Sequence, residues 1–234
     1  MANLLTVARV VLLFVVVGVW ARDSYVDVWW LDLAMVALLA WVIFMDALDG
    51  WVARKLNEAS DVGALLDIAG DRIVELVLWV FFAMRSDLDG VPLVAPWVPL
   101  VIITRTVITD LIRSVAFQAG KTPFGSNTMQ DAAWARALTS SRWSRALYGG
   151  MKAVVFCALG LRVAVLRALI SGTWTEVLVT ATDLLVVATA VFCVVRAIPV
   201  IWDGRRYFGT SAPGLGEAAG GDPAPPSREP RPGP

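Results

Sequence analysis

The sequence predicts an all-α, polytopic membrane protein with six transmembrane helices. Three observations carry that prediction. Hydrophobic residues make up 58% of the 234-residue chain, against roughly 45–50% in an average soluble domain. Apolar runs of about 20 residues, the length a helix needs to cross a bilayer core, recur along it. Many of the 11 tryptophans sit near the ends of those runs (Trp20, Trp29, Trp30, Trp97, Trp174 and Trp202), as an interfacial aromatic belt requires.

The first span covers residues 4–20. No positively charged segment precedes it and no small-residue cleavage site closes it, so it reads as a retained helix. The second covers 29–53 and carries Asp46 and Asp49 near its end. The third covers 63–84 and carries Asp67 and Asp71 near its start. The connector 54–62 is short and polar, which makes these two helices antiparallel neighbours and brings both aspartate pairs to one depth on one side of the membrane. The fourth, fifth and sixth spans cover 94–116, 147–170 and 177–202. The polar connector 121–144 is expected to include a short amphipathic helix on the membrane surface. Residues 1–208 thus form one membrane domain, while 209–234, rich in Pro, Gly and Ala, cannot bury apolar surface and are expected to be a disordered tail.

Basic residues divide unevenly between the two sides. Arg54, Lys55, Arg113, Lys121, Arg136, Arg142, Arg145, Arg205 and Arg206 share the side of the aspartates; the opposite loops carry Arg22, Arg85 and Arg167, with Arg162 near the end of the fifth helix. The positive-inside rule then puts the aspartates and both termini in the cytoplasm, in a multi-pass protein of the cell membrane. The formal net charge is zero, so no global basic character points to nucleic acid. There is no histidine, which excludes imidazole ligands and Ser-His-Asp or Cys-His catalysis. Acid–base chemistry falls to carboxylates, Lys, Tyr or water. Cys157 and Cys193 lie in apolar runs without a CxxC partner and read as small buried hydrophobes.

The chemistry concentrates between Asp46 and Asp71. Asp46 and Asp49 are three residues apart, Asp67 and Asp71 four apart, so each pair shares a helix face. Carboxylates among apolar membrane residues are costly and mark function. Four of them brought together would repel unless cations sat between them. Hard divalent ions such as Mg²⁺ or Mn²⁺ prefer such an all-oxygen donor set. Two of them would neutralise four carboxylates, so a two-metal site is the economical reading.

Written out, the stretch is D-x2-D-G-x2-A-R-x8-G-x3-D-x3-D, filled by Asp46, Asp49, Gly50, Ala53, Arg54, Gly63, Asp67 and Asp71. It resembles the signature of the CDP-alcohol phosphatidyltransferases, integral membrane enzymes of phospholipid synthesis. The resemblance implies a reaction in which an acceptor hydroxyl attacks the lipid-proximal phosphorus of CDP-diacylglycerol and CMP leaves. It implies Asp46, Asp49, Asp67 and Asp71 as ligands of two divalent cations, and Asp71 as the base. Asp46, Asp49, Gly50, Ala53, Arg54 and Gly63 would bind the CDP-lipid, the glycines by letting the nucleotide approach the helix backbone and Arg54 by stabilising diphosphate charge. Family members are commonly homodimers, which implies one here.

Three further stretches resemble the phosphatidylglycerophosphate synthase branch, whose acceptor is glycerol 3-phosphate. Asn3-Leu4-Leu5-Thr6-x-x-Arg9 is similar to its N-x-L-T-x-x-R opening. Pro96 and Trp97, then Arg105 and Arg113, are similar to its P-x-W…R-E…R stretch, although Pro96 and Trp97 are adjacent and Thr106 replaces Glu. Gly120-Lys121-Thr122 with Gln130 is loosely similar to a third segment. Arg105 and Arg113, eight apart and on roughly one helical face, could form a cationic pocket for an acceptor phosphate with Lys121, Arg142, Arg145 and Lys152. An inositol-phosphate acceptor is the alternative, because Asp71-Arg72 followed by Glu75 resembles the D-R-x-x-D pattern of that branch. Outside transferases, four aspartates could serve a divalent-cation channel or carrier. Their clustering at one membrane side and the motif arginine speak against it.

Overall fold

The computed structural model describes residues 2–22, 28–56, 61–87, 90–118, 133–139, 141–168 and 172–205. They form seven helices: α1 (Ala2–Arg22), α2 (Trp29–Leu56), α3 (Asp61–Met84), α4 (Trp97–Gln118), α5 (Ala133–Thr139), α6 (Arg142–Arg167) and α7 (Thr173–Gly204). The protein is an all-α membrane protein, and no strand occurs among the described residues. An isolated bridge between Ser86 and Pro92 narrows the turn from α3 to α4, where Gly90 takes a φ of 78° that a side chain would disfavour.

Six of the helices are long, from 21 residues in α1 to 32 in α7. At 1.5 Å per residue even α1 reaches roughly 32 Å, enough for the hydrocarbon core. Four stretches combine that length with high apolarity: Leu4–Arg22, Trp29–Asp46, Trp134–Arg167 and Thr173–Gly204. Helices α3 and α4 are long enough but carry rows of charge, Asp67, Asp71, Arg72 and Glu75 on one and Arg105, Asp110 and Arg113 on the other. The helix expected in the polar connector is α5, a single short segment. The boundaries shift by a few residues: α2 continues past 53 to Leu56, α3 begins at Asp61, and α6 begins at Arg142 and ends at Arg167. Ser141 sets that last start, its hydroxyl accepting from the Ser144 N–H at 3.1 Å as an N-cap. The predicted tail, 209–234, lies outside the described residues.

Helix α2 packs against α1 and α6, α7 against α4 and α6, and α3 leans on α1 and α4. The core between them is aromatic. Trp20 of α1 meets Phe81 and Phe82 of α3, and Trp79 and Phe82 meet Phe156 of α6. Around them Leu13, Leu39, Leu78 and Leu159 are wholly buried. Outward faces are apolar as well: Val11 and Phe14 on α1 and Leu184, Val187 and Val191 on α7 are exposed, as lipid-facing positions should be. Cys193 is buried, Cys157 is partly so, and both are free thiols.

A polar clamp ties α1, α2 and α6 at the end far from the motif aspartates. Asp32, with no exposed surface, accepts from Trp20 Nε1 at 2.6 Å and pairs with Arg167 at 3.4 Å. Gly160 makes the close packing possible: a Cβ there would come within 2.7 Å of both Trp20 and Val36. Removing the carboxylate strands a buried cation and an indole N–H. The substitution Asp32→Ala is expected to cost about 3 kcal/mol of stability, read as a lowered thermal midpoint in detergent; an unchanged midpoint would show that the clamp contributes nothing.

Candidate active site

The motif aspartates converge where the end of α2 faces the start of α3. Asp46, Asp67 and Asp71 each offer a carboxylate oxygen, and these atoms all lie within 4.8 Å of one another. Each side chain is about half exposed, at 46%, 45% and 48%. The four-residue step from Asp67 to Asp71 sets both on one face of α3, and Glu75 continues the row. Asp49 follows Asp46 by three positions on α2, and Gly50, Ala53 and Arg54 extend the same helix; their side chains lie outside the described residues. Gly63 is partly buried in the first turn of α3.

Behind the cluster stands Arg9 of α1. Its Nη1 donates to Asp46 Oδ1; its Nη2 donates to Asp71 Oδ1 at 2.9 Å and lies 4.0 Å from Asp67 Oδ1. The arginine side chain is 2% exposed, so the carboxylates are tethered from the protein interior and open on the other side. Gly70 is the notch that admits it: a Cβ there would stand 2.9 Å from Arg9 Nη2 and 2.7 Å from Thr6 Cγ2. Thr6, Arg9 and Gly70 therefore form one packing unit.

The residues fit a divalent cation. The donor set is all oxygen, and Asp67 Oδ1 is buried without a hydrogen-bond partner. A buried carboxylate oxygen left unsatisfied costs more than a made hydrogen bond returns, and a cation would satisfy it. Net charge points the same way: one arginine does not balance three aspartates.

Next to this cluster lies a second, ionic one. Glu75, nearly wholly buried, accepts from Tyr148 Oη at 2.7 Å and from Lys152 Nζ at 2.8 Å. Arg72 grips Asp110 through two parallel bonds of 3.0 Å, a bidentate geometry that fixes α3 to α4. Arg113 pairs with Asp110 at 3.6 Å. Arg196 of α7 donates to the carbonyls of Leu138 and Thr139 at 3.3 and 3.4 Å and lies over the Tyr148 ring, 5.1 Å from its centre. Arg105 is buried, its Nε has no hydrogen-bond partner, and it lies within electrostatic range of Arg113 and Arg196. Five cations (Arg72, Arg105, Arg113, Lys152, Arg196) thus face two carboxylates, a surplus suited to an anion.

An open groove of about 570 Å³ runs between α2 and α6, lined by Ile43, Asp46, Arg145, Ala146, Gly149, Gly150 and Ala153. A Cβ at Gly149 or Gly150 would touch nothing within 4 Å. Two mid-helix glycines cost about 1 kcal/mol each relative to alanine. Packing does not demand them, and they keep the groove wide beside Asp46.

The sequence-predicted acceptor residues therefore separate. Arg105 and Arg113 join one cationic cluster. Lys152 is close to it but engaged by Glu75. Arg145 lines the groove beside Asp46. Lys121 lies outside the described residues, as does the side chain of Arg142 at the start of α6. Arg9 stood out in the sequence only within a motif, and Arg196 not at all. Each is a lone charge in a long apolar run, the signal that would have found both.

Three comparisons bear on this geometry. A family model described as CDP-alcohol phosphatidyltransferase matches residues 1–159. The chain is 29% identical over 124 residues to the protein named CDP-diacylglycerol–glycerol-3-phosphate 3-phosphatidyltransferase 2 from Arabidopsis thaliana, covering 51% of this chain and 52% of the relative. It is 27% identical over 140 residues to the Pseudomonas fluorescens protein named CDP-diacylglycerol–glycerol-3-phosphate 3-phosphatidyltransferase, covering 60% of this chain and 66% of the relative. The aligned parts thus span about half to two thirds of those relatives' length.

The Glu75 cluster makes an ordered prediction. Glu75→Ala leaves Lys152 and Tyr148 without their buried acceptor and is expected to lower stability by about 3 kcal/mol. Glu75→Gln keeps an oxygen for Tyr148 and should lose clearly less. Chemical unfolding in detergent measures both, and equal losses would show that the hydrogen bond from Tyr148 adds nothing beside the ion pair with Lys152.

Proposed function

Because the chain belongs to the CDP-alcohol phosphatidyltransferase family, we propose that it transfers a phosphatidyl group from CDP-diacylglycerol to glycerol 3-phosphate and releases CMP. The observation that carries this reading is the juxtaposition of a three-carboxylate cluster with a buried surplus of arginine. A cation-binding centre beside an anion-binding one suits a diphosphate donor and a phosphorylated acceptor. The names of the similar proteins favour glycerol 3-phosphate over inositol phosphate. Arg72 and Glu75, which raised the inositol alternative, are engaged with Asp110 and Lys152. Arg9, closing the buried side of the carboxylates, speaks against a cation path.

Each part of the chain then has a task. Asp46, Asp49, Asp67 and Asp71 hold two divalent cations, Mg²⁺ or Mn²⁺. When bound, such ions neutralise the diphosphate and the charge that develops on departing CMP. Gly50, Ala53, Arg54 and Gly63 receive the CDP headgroup. The groove between α2 and α6 gives the lipid end of the donor a way to Asp46, with Arg145 at its edge. Arg105, Arg113 and Arg196 hold the acceptor phosphate, leaving its hydroxyl towards Asp71. Asp71 takes the hydroxyl proton as the acceptor oxygen bonds to the lipid-proximal phosphorus, and the bond from that phosphorus to the CMP oxygen breaks. Lys152 and Tyr148, fixed by Glu75, hold α6 against α3 behind the acceptor. The basic residues of the loops support a cytoplasmic site; a homodimer rests on the family resemblance alone.

CMP release by purified protein in detergent, with CDP-diacylglycerol, Mg²⁺ and a panel of acceptors, tests the reading. Release is expected with glycerol 3-phosphate and not with inositol 1-phosphate, inositol or serine. Release driven by another alcohol would overturn the acceptor, and silence with all of them the reaction. In the same assay Asp71→Asn should lower turnover by about 10²–10⁴-fold. Arg196→Ala should raise KM for glycerol 3-phosphate by about tenfold or more while leaving that for the donor nearly unchanged, as loss of a charged hydrogen bond implies. Gly149→Leu should do the reverse. Parallel changes in both constants would contradict the division into two subsites.

A further inference from the structure

Arg9 has no part in the steps above, yet it is the residue most deeply engaged with the carboxylates. It is one of the largest fully buried side chains, and it bonds Asp46 and Asp71 from the interior. Its Nε has no hydrogen-bond partner, so the guanidinium is held by the carboxylates alone among the described residues. Gly70 leaves room for it: a Cβ there would stand 2.9 Å from Arg9 Nη2. A buried guanidinium already satisfies two of the three carboxylates on their inner oxygens.

From this we infer that Arg9 is a resident counter-ion that lowers the affinity of the aspartate cluster for divalent cations; the inference rests on the reading of that cluster as a metal site. Two effects act in the same direction. Arg9 occupies carboxylate oxygens that a metal would share, and its charge repels a second cation across a poorly solvated distance. With Arg9 present, four aspartates and two divalent ions are no longer neutral but carry one positive charge. The site then holds metal weakly by itself and completes its charge balance only when an anionic diphosphate arrives. Metal loading is thereby tied to donor binding, and the carboxylates stay assembled while the metal is away.

Mn²⁺ binding separates this from a purely structural role, because it is read without turnover. Free Mn²⁺ gives a six-line electron paramagnetic resonance spectrum that is lost on binding, so titration of the intact protein in detergent yields affinity directly. Arg9→Gln should bind Mn²⁺ tighter by on the order of tenfold, and its metal-free thermal midpoint should fall. Gly70→Ala leaves every charge in place and crowds the guanidinium at its notch; it should tighten Mn²⁺ binding in the same direction by a smaller factor. Unchanged or weaker Mn²⁺ affinity in both folded variants would overturn the inference while leaving the metal site standing. Absence of binding in the natural protein and both variants would overturn the metal site, and the inference with it. Binding seen only in the variants would support it.

Discussion

The structure depends on how negative charge is tolerated inside a membrane helix bundle. Three carboxylates brought within 4.8 Å of one another cannot be sustained by hydrophobic packing. Arg9 supplies the first part of the answer from α1, binding α2 through Asp46 and α3 through Asp71. That single side chain fixes the relative height of three helices. The aromatic core of Trp20, Trp79, Phe82 and Phe156 then sets their spacing. Apolar packing in a bilayer gives little preference for one register over another, because lipid tails are as apolar as the side chains they replace. Ion pairs of defined partners give that preference.

The same logic recurs three times more. Arg72 and Asp110 fix α3 to α4, and Glu75 with Tyr148 and Lys152 fixes α3 to α6. At the far end Asp32 joins Trp20 and Arg167. Helices α3 and α4 carry the acidic and basic partners of most of these contacts, which keeps both out of the long, weakly charged apolar stretches. Their charges are largely taken up in paired contacts, and the surplus of arginine left after pairing suits an anion.

Much of this was legible in the sequence, for reasons that differ by feature. The six long helices follow from run length, and the short α5 from polarity in the connector. The convergence of Asp46, Asp67 and Asp71 follows from two spacings and a short connector, all local quantities. Arg9 is a different case: it lies 62 residues from Asp71, and no periodicity links them. Lys152 looked like a free cation because its partner, Glu75, is 77 residues away. Arg196 was hidden in a long, strongly apolar helix, where hydropathy masks a single charge. Pairings across helices depend on register between elements, which one chain's spacing does not encode. A lone charge in an apolar run does announce that some such partner exists.

Crystals soaked in Mn²⁺ offer the most direct test of the carboxylate cluster as the catalytic centre. Anomalous difference density should appear between Asp46, Asp67 and Asp71, with the Arg9 guanidinium withdrawn from at least one of its two carboxylates. Density elsewhere, or none at that cluster in protein that releases CMP with the same Mn²⁺, would contradict the central claim that these aspartates hold the metal that the reaction uses.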